Sequence, residues 1–538
     1  MSLRHERVRY FIFLLAPLIL SAYTHLWNPL GFPSIHIDEA HYMRRAMLVI
    51  QGMGPQESAA SGYPRTYDHP YFGQIFLGSV LRLIGYPDIL NPSSDQESIE
   101  SLHMVPRLLM GILAIVDTLL VFKIAERRYG MTIAIIASVL FAVMPMSWIL
   151  RRVYLDTILM PLMLSSILFA VYLKPKDILT KNAEETKRKI GQGTLILLSG
   201  IFLGLAIYTK VPVFVMMPLV GSLIFFNSKK RLKSLGIWLM PVILIPLLWP
   251  LYSVVAGQTD LWVEWVLWQT ERNRPLSISL TNFFQIDPLI TIIGIAGFIW
   301  TGLKKDFFPL IWVVPFLIFS YFIGWVQYFH LIVIFPAFCI ASAILINSLQ
   351  KFMVQRFRTW QRNKIFSQGI FLMIAIFGII ISSVLINSDV NSSYYKIYAS
   401  IAKNIPDISN VNEKQNANVT VIGSHWWVWD SYWITKLVLN KDHELIDPHF
   451  DPNFKLPVTT NNVIFIDDKI FLDSISKNVR SNNLLHIRQL HDESRIISTF
   501  FDNVTSHDNG IYPNNIFSIM ILNENHPMGE VVIRSGSN

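Results

Sequence analysis

The chain has 538 residues, of which 52% are apolar and only 15% charged, with a mean hydropathy of +0.41. Ordinary soluble proteins carry about 25% charge, so a purely soluble reading is excluded. A single cysteine, Cys339, rules out an internal disulfide framework or a Cys-based zinc site. The net charge of +8 would suggest nucleic acid only if the basic residues gathered in one patch, and they alternate with apolar stretches instead.

A spanning helix needs about 20 mainly apolar residues. Eleven stretches qualify, near 10–27, 103–124, 131–149, 153–173, 192–209, 211–227, 234–255, 285–302, 307–325, 328–349 and 368–387. A shorter stretch, Tyr71 to Tyr86, follows Pro70 and carries Gln74 and Arg82, which predicts an interfacial or re-entrant helix. With eleven spans and the N-terminus inside, segments 1–9, 123–130, 174–190, 228–233, 303–306 and 350–367 are cytoplasmic. They hold 23 Lys and Arg against six acidic residues, so the inside carries +17 and the remainder −9. That is the positive-inside bias, obeyed loop by loop. Counting Tyr71 to Tyr86 as a span would place the acidic stretch Asp88 to Glu100 inside and invert the later loops. Arg4, Arg7 and Arg9 before the first apolar run imitate a signal peptide, but with no convincing small-residue cleavage site the run is expected to stay as the first helix.

Beyond Ile386 the apolar runs end and Asn, Asp, Ser and Lys become common. Residues 418–423 and 462–467 read as buried strands, 394–404 and about 470–478 as helices, so a small α/β fold is expected. Three N-x-Ser/Thr sequons, at Asn391, Asn418 and Asn503, give weak support to placing it outside the cytoplasm. The expected division is a transmembrane domain over 1–387 and an extracytoplasmic α/β domain over 388–538. The first includes an outer loop at 28–102 and an outer amphipathic segment at 256–284. No internal repeat is evident.

Four constellations carry chemistry. The loop 28–102 is too long for a connector. It holds Ser34-Ile-His-Ile-Asp-Glu-Ala-His-Tyr42, with the adjacent carboxylates Asp38 and Glu39, and then Tyr67-Asp-His-Pro-Tyr-Phe-Gly-Gln74. Asp38 could cap a helix running from Glu39 to Gln51 and still serve catalysis. His36 and His41 lie five apart, not the four that would set both on one helical face for a metal. Next, Trp148-Ile-Leu-Arg-Arg-Val-Tyr-Leu-Asp-Thr157 puts Asp156 at the head of an uncharged span, where an ionisable residue is costly to bury. It either serves the site or pairs with Arg151 or Arg152. Lys210, in Leu205-Ala-Ile-Tyr-Thr-Lys-Val-Pro212, either snorkels or holds an anion. His330 enters the tenth span beside Tyr328, and Trp262, Trp265 and Trp268 mark an amphipathic outer helix that guides a lipid or anchors its loop.

In this order the motifs resemble the GT-C membrane glycosyltransferases, specifically the protein O-mannosyltransferase and aminoarabinose-transferase-like superfamily. The resemblance rests on Asp38-Glu39 after the first span, on His69-Pro70 opening a juxtamembrane helix, with Tyr71 where the family has a second proline, on Arg151, Leu155 and Asp156, and on Thr209, Lys210 and Pro212. It covers roughly 10–350. It implies the GT-C fold and a polyprenyl-phosphate sugar donor attacked outside the cytoplasm with inversion. The acceptor is a protein, a lipid or a glycan, the bilayer is a partner, and nucleic acid is not. The implied membrane is the plasma membrane in a prokaryote and the endoplasmic reticulum in a eukaryote.

An in-line displacement needs a base behind the acceptor hydroxyl, for which Asp38 is the candidate. Arg151 and Lys210 are candidates for the departing phosphate. Glu39 and Asp156 would orient acceptor or cations, His69, Tyr328 and His330 would bind substrate, and a divalent metal on Asp38 and Asp156 stays open. Two other readings compete. Trp426 to Tyr432 resembles, imperfectly, the Trp-Trp-Asp-Tyr-Gly motif of oligosaccharyltransferases, though a core or acceptor-groove role suits these aromatics better. A transporter or flippase would also be a many-span bundle, yet would usually show internal repeats and midplane sites.

Overall fold

The structure is a computed structural model that describes residues 3–56, 67–173, 191–356, 363–405, 418–441, 443–447, 460–477, 482–502 and 529–537. The basic segment 174–190 and the sequon at Asn503 lie outside the described residues. Helices α1 (Leu3–Leu26), α2 (Ile37–Ile50), α3 (Phe72–Leu83), α4 (Gln96–Tyr129), α5 (Met131–Val143), α6 (Leu155–Tyr172), α7 (Gln192–Thr209) and α8 (Met217–Asn227) form the first half. Helices α9 (Arg231–Leu244), α10 (Leu248–Val255), α11 (Thr259–Glu271), α12 (Leu276–Ile286), α13 (Pro288–Leu303), α14 (Phe308–Ile323), α15 (Phe335–Arg356) and α16 (Asn363–Ile386) follow.

Among the described residues, six helical segments are long and apolar enough to cross a bilayer, or eight if each of two bent pairs is one span. Shorter apolar helices occupy Tyr10–Leu26, Phe72–Leu83, Val211–Asn227 and Phe308–Ile323. At 1.5 Å per residue the 12-residue α3 covers about 18 Å, well short of a 30 Å hydrocarbon core, in keeping with a juxtamembrane helix.

The span expected at 131–149 is broken, and the one expected at 285–302 begins at a sharp bend. α5 stops at Val143, and a 3₁₀ turn over Pro145–Arg151 leaves it at 65°, while α12 and α13 meet at 113°. In each case a proline follows the break, where it removes a backbone donor and crowds the preceding turn. Asp287, fully buried, joins the two breaks. Its Oδ1 caps α13 by accepting from Ile290 N at 3.1 Å, and its Oδ2 accepts from Met146 N at 3.3 Å.

The C-terminal part contains α17 (Ser392–Asn404), β1 (Asn418–Gly423), α18 (His425–Tyr432), β2 (His443–Ile446), β3 (Thr460–Asp467), α19 (Lys469–Lys477), α20 (Asn482–Glu493), β4 (Arg495–Asp502) and β5 (Gly529–Ser537). The sheet order is β2-β1-β3-β5-β4. β1 is parallel to both neighbours, and β5 is antiparallel to β3 and β4. This is the expected small α/β fold. One sheet face packs Ile422, Phe465, Phe471 and Ile487 together. On the other side the helical bundle's core continues without a break into Tyr394, Tyr398, Trp427 and Ile464.

Asn391 is not a glycosylation marker. It is fully buried, its amide donates to Leu30 O at 2.7 Å and Pro33 O at 2.8 Å, and its Oδ1 accepts from Ile35 N at 2.9 Å. The sequon instead ties the loop before α2 to the start of α17.

Candidate active site

The loop before α2 enters the helix through His36, not Asp38. His36 is the N-cap: its Nδ1 accepts from Asp38 N at 3.3 Å, and Glu39 Oε1 accepts from His36 N at 3.2 Å, completing a capping box. The cap expected of Asp38 therefore falls to its neighbour, and the Asp38 side chain is left for a cavity. That cavity has a volume of about 1060 Å³ and is bordered by Asp38, His41, His69, Asp156, Lys210 and His330, with others named below. The Asp38 side chain is one-third accessible, and its carboxylate lies 3.8 Å from His36 Nδ1. Burial raises its pKa above the ordinary carboxylate value, against the opposing charges of Lys210 and His41. His36 is held neutral, lowered to about 3 by burial and then by Arg152, so it does not neutralise Asp38.

Asp156 sits in the first turn of α6 and Lys210 at the end of α7, where the backbone leaves the helix in an extended conformation. They form an ion pair of 2.6 Å, with Lys210 only 5% exposed. Neither alternative reading of these residues survives: Asp156 does not pair with Arg151 or Arg152, and Lys210 does not reach for bulk water. Gly73 makes the approach feasible from behind, since a Cβ there would fall 2.5 Å from Leu155 Cδ2 and 3.0 Å from Thr209 Cγ2. The Lys210 ammonium also lies 5.5 Å from the Phe329 ring centroid.

Glu39, Arg151 and Tyr328 correct the expectations placed on them, because none borders this cavity. Glu39 is spent on a clamp. Arg107 donates to it from Nε at 3.0 Å and from the guanidinium end at 2.8 Å, and Val153 N donates at 3.2 Å, binding α2 to α4 and to the approach to α6. Burial pushes the Glu39 pKa up, but Arg107 and its hydrogen bonds hold it below the usual value. Arg151 donates to the carbonyls of Thr24, Trp27 and Asn28 at 3.2, 2.6 and 2.7 Å, which closes the end of α1 and commits the end of its guanidinium to backbone. Arg152 donates to Ser34 Oγ at 2.9 Å and to the Tyr328 hydroxyl at 3.2 Å, so Tyr328 supports the wall from behind.

His69 and His330 do border the cavity. Burial lowers His69 to about 3 despite the opposing charge of Asp68. His330 accepts from Gln327 N at its Nδ1, 3.2 Å away, which fixes the ring at the head of its helix.

Several cavity residues were not singled out from the sequence. Asp68 accepts from Arg45 at 2.7 Å and from His41 Nε2 at 3.2 Å, while Arg44 donates to His41 Nδ1 at 3.1 Å. Both ring nitrogens of His41 are thus used and its tautomer is set. Partial burial raises the Asp68 pKa, but Arg45 and the two histidines hold it well below the usual range. Arg272 is the second surprise. Its guanidinium lies 4.6 Å from the Trp268 ring and 4.4 Å from the Trp325 ring, and it donates to Gln269 Oε1. Burial lowers its pKa, opposed by Asp38 and Asp68. The available signal was a cation directly after the tryptophan helix. That helix, α11, borders the cavity through Trp265 and Trp268 while Trp262 packs edge-on to Trp249 at 5.6 Å.

The C-terminal domain contributes Trp429, Leu445, Ile446 and Asp447 to the cavity. Arg44 donates to Trp429 O at 2.8 Å. Within the same aromatic motif Trp427 and Asp430 are buried, Trp427 against Tyr394 at 4.9 Å, so the motif divides between core and cavity wall. Among the described residues no group of three or more His, Cys, Asp or Glu side chains is placed to hold a metal ion. Asp156, one of the two carboxylates considered for that role, already has a cation in Lys210.

Residues 64–256 match the family model of dolichyl-phosphate-mannose-protein mannosyltransferase. No curated protein matches the sequence. Among solved structures, ArnT from Cupriavidus metallidurans in the apo state is 11% identical, with a TM-score of 0.57 over 98% of both chains. The Archaeoglobus fulgidus oligosaccharyltransferase in complex with zinc and sulfate is 12% identical, with a TM-score of 0.52 over 92% of this chain and 72% of that one. The same organism's oligosaccharyltransferase AglB, in complex with an inhibitory peptide and a dolichol-phosphate, gives 12% and 0.51 over 86% and 69%. The chain spans 63 to 72% of the length of these oligosaccharyltransferase chains. At such identities the structures show a common fold, and the family match falls on the part of the chain that supplies Asp68, His69, Asp156 and Lys210. The fold is thus that of ArnT and of the archaeal oligosaccharyltransferase, while residues 64–256, about a third of the chain, match the mannosyltransferase family model.

Proposed function

We propose that the protein transfers a single sugar from a polyprenyl phosphate to a hydroxyl of an extracytoplasmic protein acceptor, with inversion, using Asp38 as the base. The observation that carries this reading is the Asp38 carboxylate, released from capping by His36 and sharing one large cavity with the Lys210–Asp156 pair. The acceptor oxygen attacks the anomeric carbon as Asp38 takes its proton, and the bond from that carbon to the phosphate oxygen breaks. The electron pair leaves with the polyprenyl phosphate, whose negative charge Lys210 and Arg272 are suited to hold. Trp268 and Trp325 orient the Arg272 guanidinium, so little side-chain freedom is lost when it binds. Val211, Val213, Phe214, Phe316, Phe319 and Ile323 form an apolar wall that suits the first isoprene units. His69 and His330, which both border the cavity, offer polar contacts for the sugar. Asp68 and Glu39 position the two halves of α2.

The positive-inside bias of the sequence supports placing the cavity and the C-terminal domain on the extracytoplasmic face. The family match supports a protein acceptor and a dolichyl-phosphate type of donor. The test is Asp38→Asn, purified in lipid nanodiscs and supplied with dolichyl-phosphate-mannose. Loss of a positioned general base predicts a fall of about 10²- to 10⁴-fold in kcat with folding unchanged. Near-normal turnover by a variant with wild-type thermal stability would remove Asp38 from the chemistry.

A further inference from the structure

A side chain is held in a productive geometry only if the element that carries it is itself fixed. No residue of α11 is fully buried, yet this helix and the residue just beyond it supply Trp265, Trp268, Gln269 and Arg272 to the cavity. Polar ties at its two ends supply what core packing supplies elsewhere. At the start, Gln258 Oε1 accepts from the Tyr67 hydroxyl at 2.6 Å and from Gln56 Nε2 at 2.9 Å. At the end, Gln269 Nε2 donates to Asp68 O at 3.1 Å, while Gln269 Oε1 accepts from the Arg272 guanidinium. The two glutamines grip consecutive residues, Tyr67 and Asp68, of the segment that also carries His69. Two residues beyond Arg272, Arg274 N donates to Gly324 O at 2.6 Å, which holds the turn that brings Trp325 to Arg272.

Among the described residues Gln269 is the only hydrogen-bond partner of Arg272, and no carboxylate forms an ion pair with it. The rings of Trp268 and Trp325 attract the guanidinium as a charge, and that attraction leaves its direction within its own plane open. A hydrogen bond to one of its N–H groups sets the direction. We propose that Gln269 is a positioning residue of the donor-phosphate site. Its carbonyl end turns the Arg272 guanidinium so that the remaining N–H groups meet the phosphate, and its amide end anchors that orientation to the backbone at Asp68. This rests on the glycosyl-transfer reading above, in which Arg272 holds the phosphate. Both ends of the amide are needed. Glutamate could accept from Arg272 but could not donate to Asp68 O, and its charge would compete with the phosphate for the guanidinium; leucine does neither.

The test uses the full-length protein in nanodiscs and measures binding of radiolabelled dolichyl phosphate, the leaving group, together with thermal unfolding. The proteins compared are wild type, Gln269→Glu, Gln269→Leu, Arg272→Met and the double variant Gln269→Leu with Arg272→Met. Affinity should fall about ten-fold in each Gln269 variant, with unfolding temperatures unchanged. The double variant should bind no more weakly than Arg272→Met alone, because a residue that acts through Arg272 has nothing left to position. A glutamine that merely braced α11 would weaken binding whether or not Arg272 were present. Losses that multiply in the double variant therefore overturn the proposal, as does unchanged affinity in both Gln269 variants. Unchanged affinity in Arg272→Met overturns it as well, and transfer from dolichyl-phosphate-mannose by the wild type then leaves the glycosyl-transfer reading standing. A wild-type protein that neither binds dolichyl phosphate nor consumes dolichyl-phosphate-mannose overturns the two together.

Discussion

Replacing Lys210 by Met removes one charge from a buried pair and separates its structural role from the phosphate-holding role proposed for it. The pair is 2.6 Å long, with Lys210 5% and Asp156 2% exposed, so the change leaves a carboxylate buried without its cation. Breaking such a pair from one side costs about 3–5 kcal/mol of stability. The catalytic cost is separate. One preorganised donor on developing charge is worth about 10²- to 10³-fold in kcat. The double variant Lys210→Met with Asp156→Asn removes both charges and should recover most of the stability, since a neutral amide replaces the stranded carboxylate. It should not recover the rate, because the phosphate still lacks its cation. Thermal unfolding in nanodiscs reads the first quantity, and turnover of dolichyl-phosphate-mannose the second. If the double variant regains both, Lys210 only staples α6 to α7 and its assignment to the phosphate is refuted.

Glu39→Gln should behave differently from Asp38→Asn. It breaks the two-point grip of Arg107 in a buried setting, costing about 3–5 kcal/mol, so its lost activity should track lost folded protein and not a fall in kcat. The acidic limb of kcat/KM should lie above the ordinary carboxylate value of 3.8, because burial raises Asp38 and the base must be ionised to act. Lys210 opposes that rise, so in Lys210→Met the limb should move to still higher pH; a pH–rate series on both proteins checks the direction.

The helical bundle and the small α/β domain were legible in the chain because hydropathy, charge sidedness and strand patterning act locally. β1, α17 and α19 begin and end within a residue or two of where their sequence patterns place them. The two sharp breaks were not legible as such. Prolines 145 and 288 signal interruption, but the bend angles depend on how Asp287 fastens one break to the other across the bundle.

For the site, the sequence by itself determined the inventory: few charges survive in so apolar a chain, and those near the helix ends include Asp38, Asp156 and Lys210. Only the tertiary structure decided how each charge is spent. Arg151 and Glu39 carry the same formal charges as Lys210 and Asp38, yet carbonyls absorb one and Arg107 the other. Asp68 and Arg272 enter the cavity from segments about 200 residues apart in the chain, brought together by packing across the bundle. A sequence fixes which groups can ionise, whereas the partners that consume or release them are long-range neighbours that no local pattern encodes.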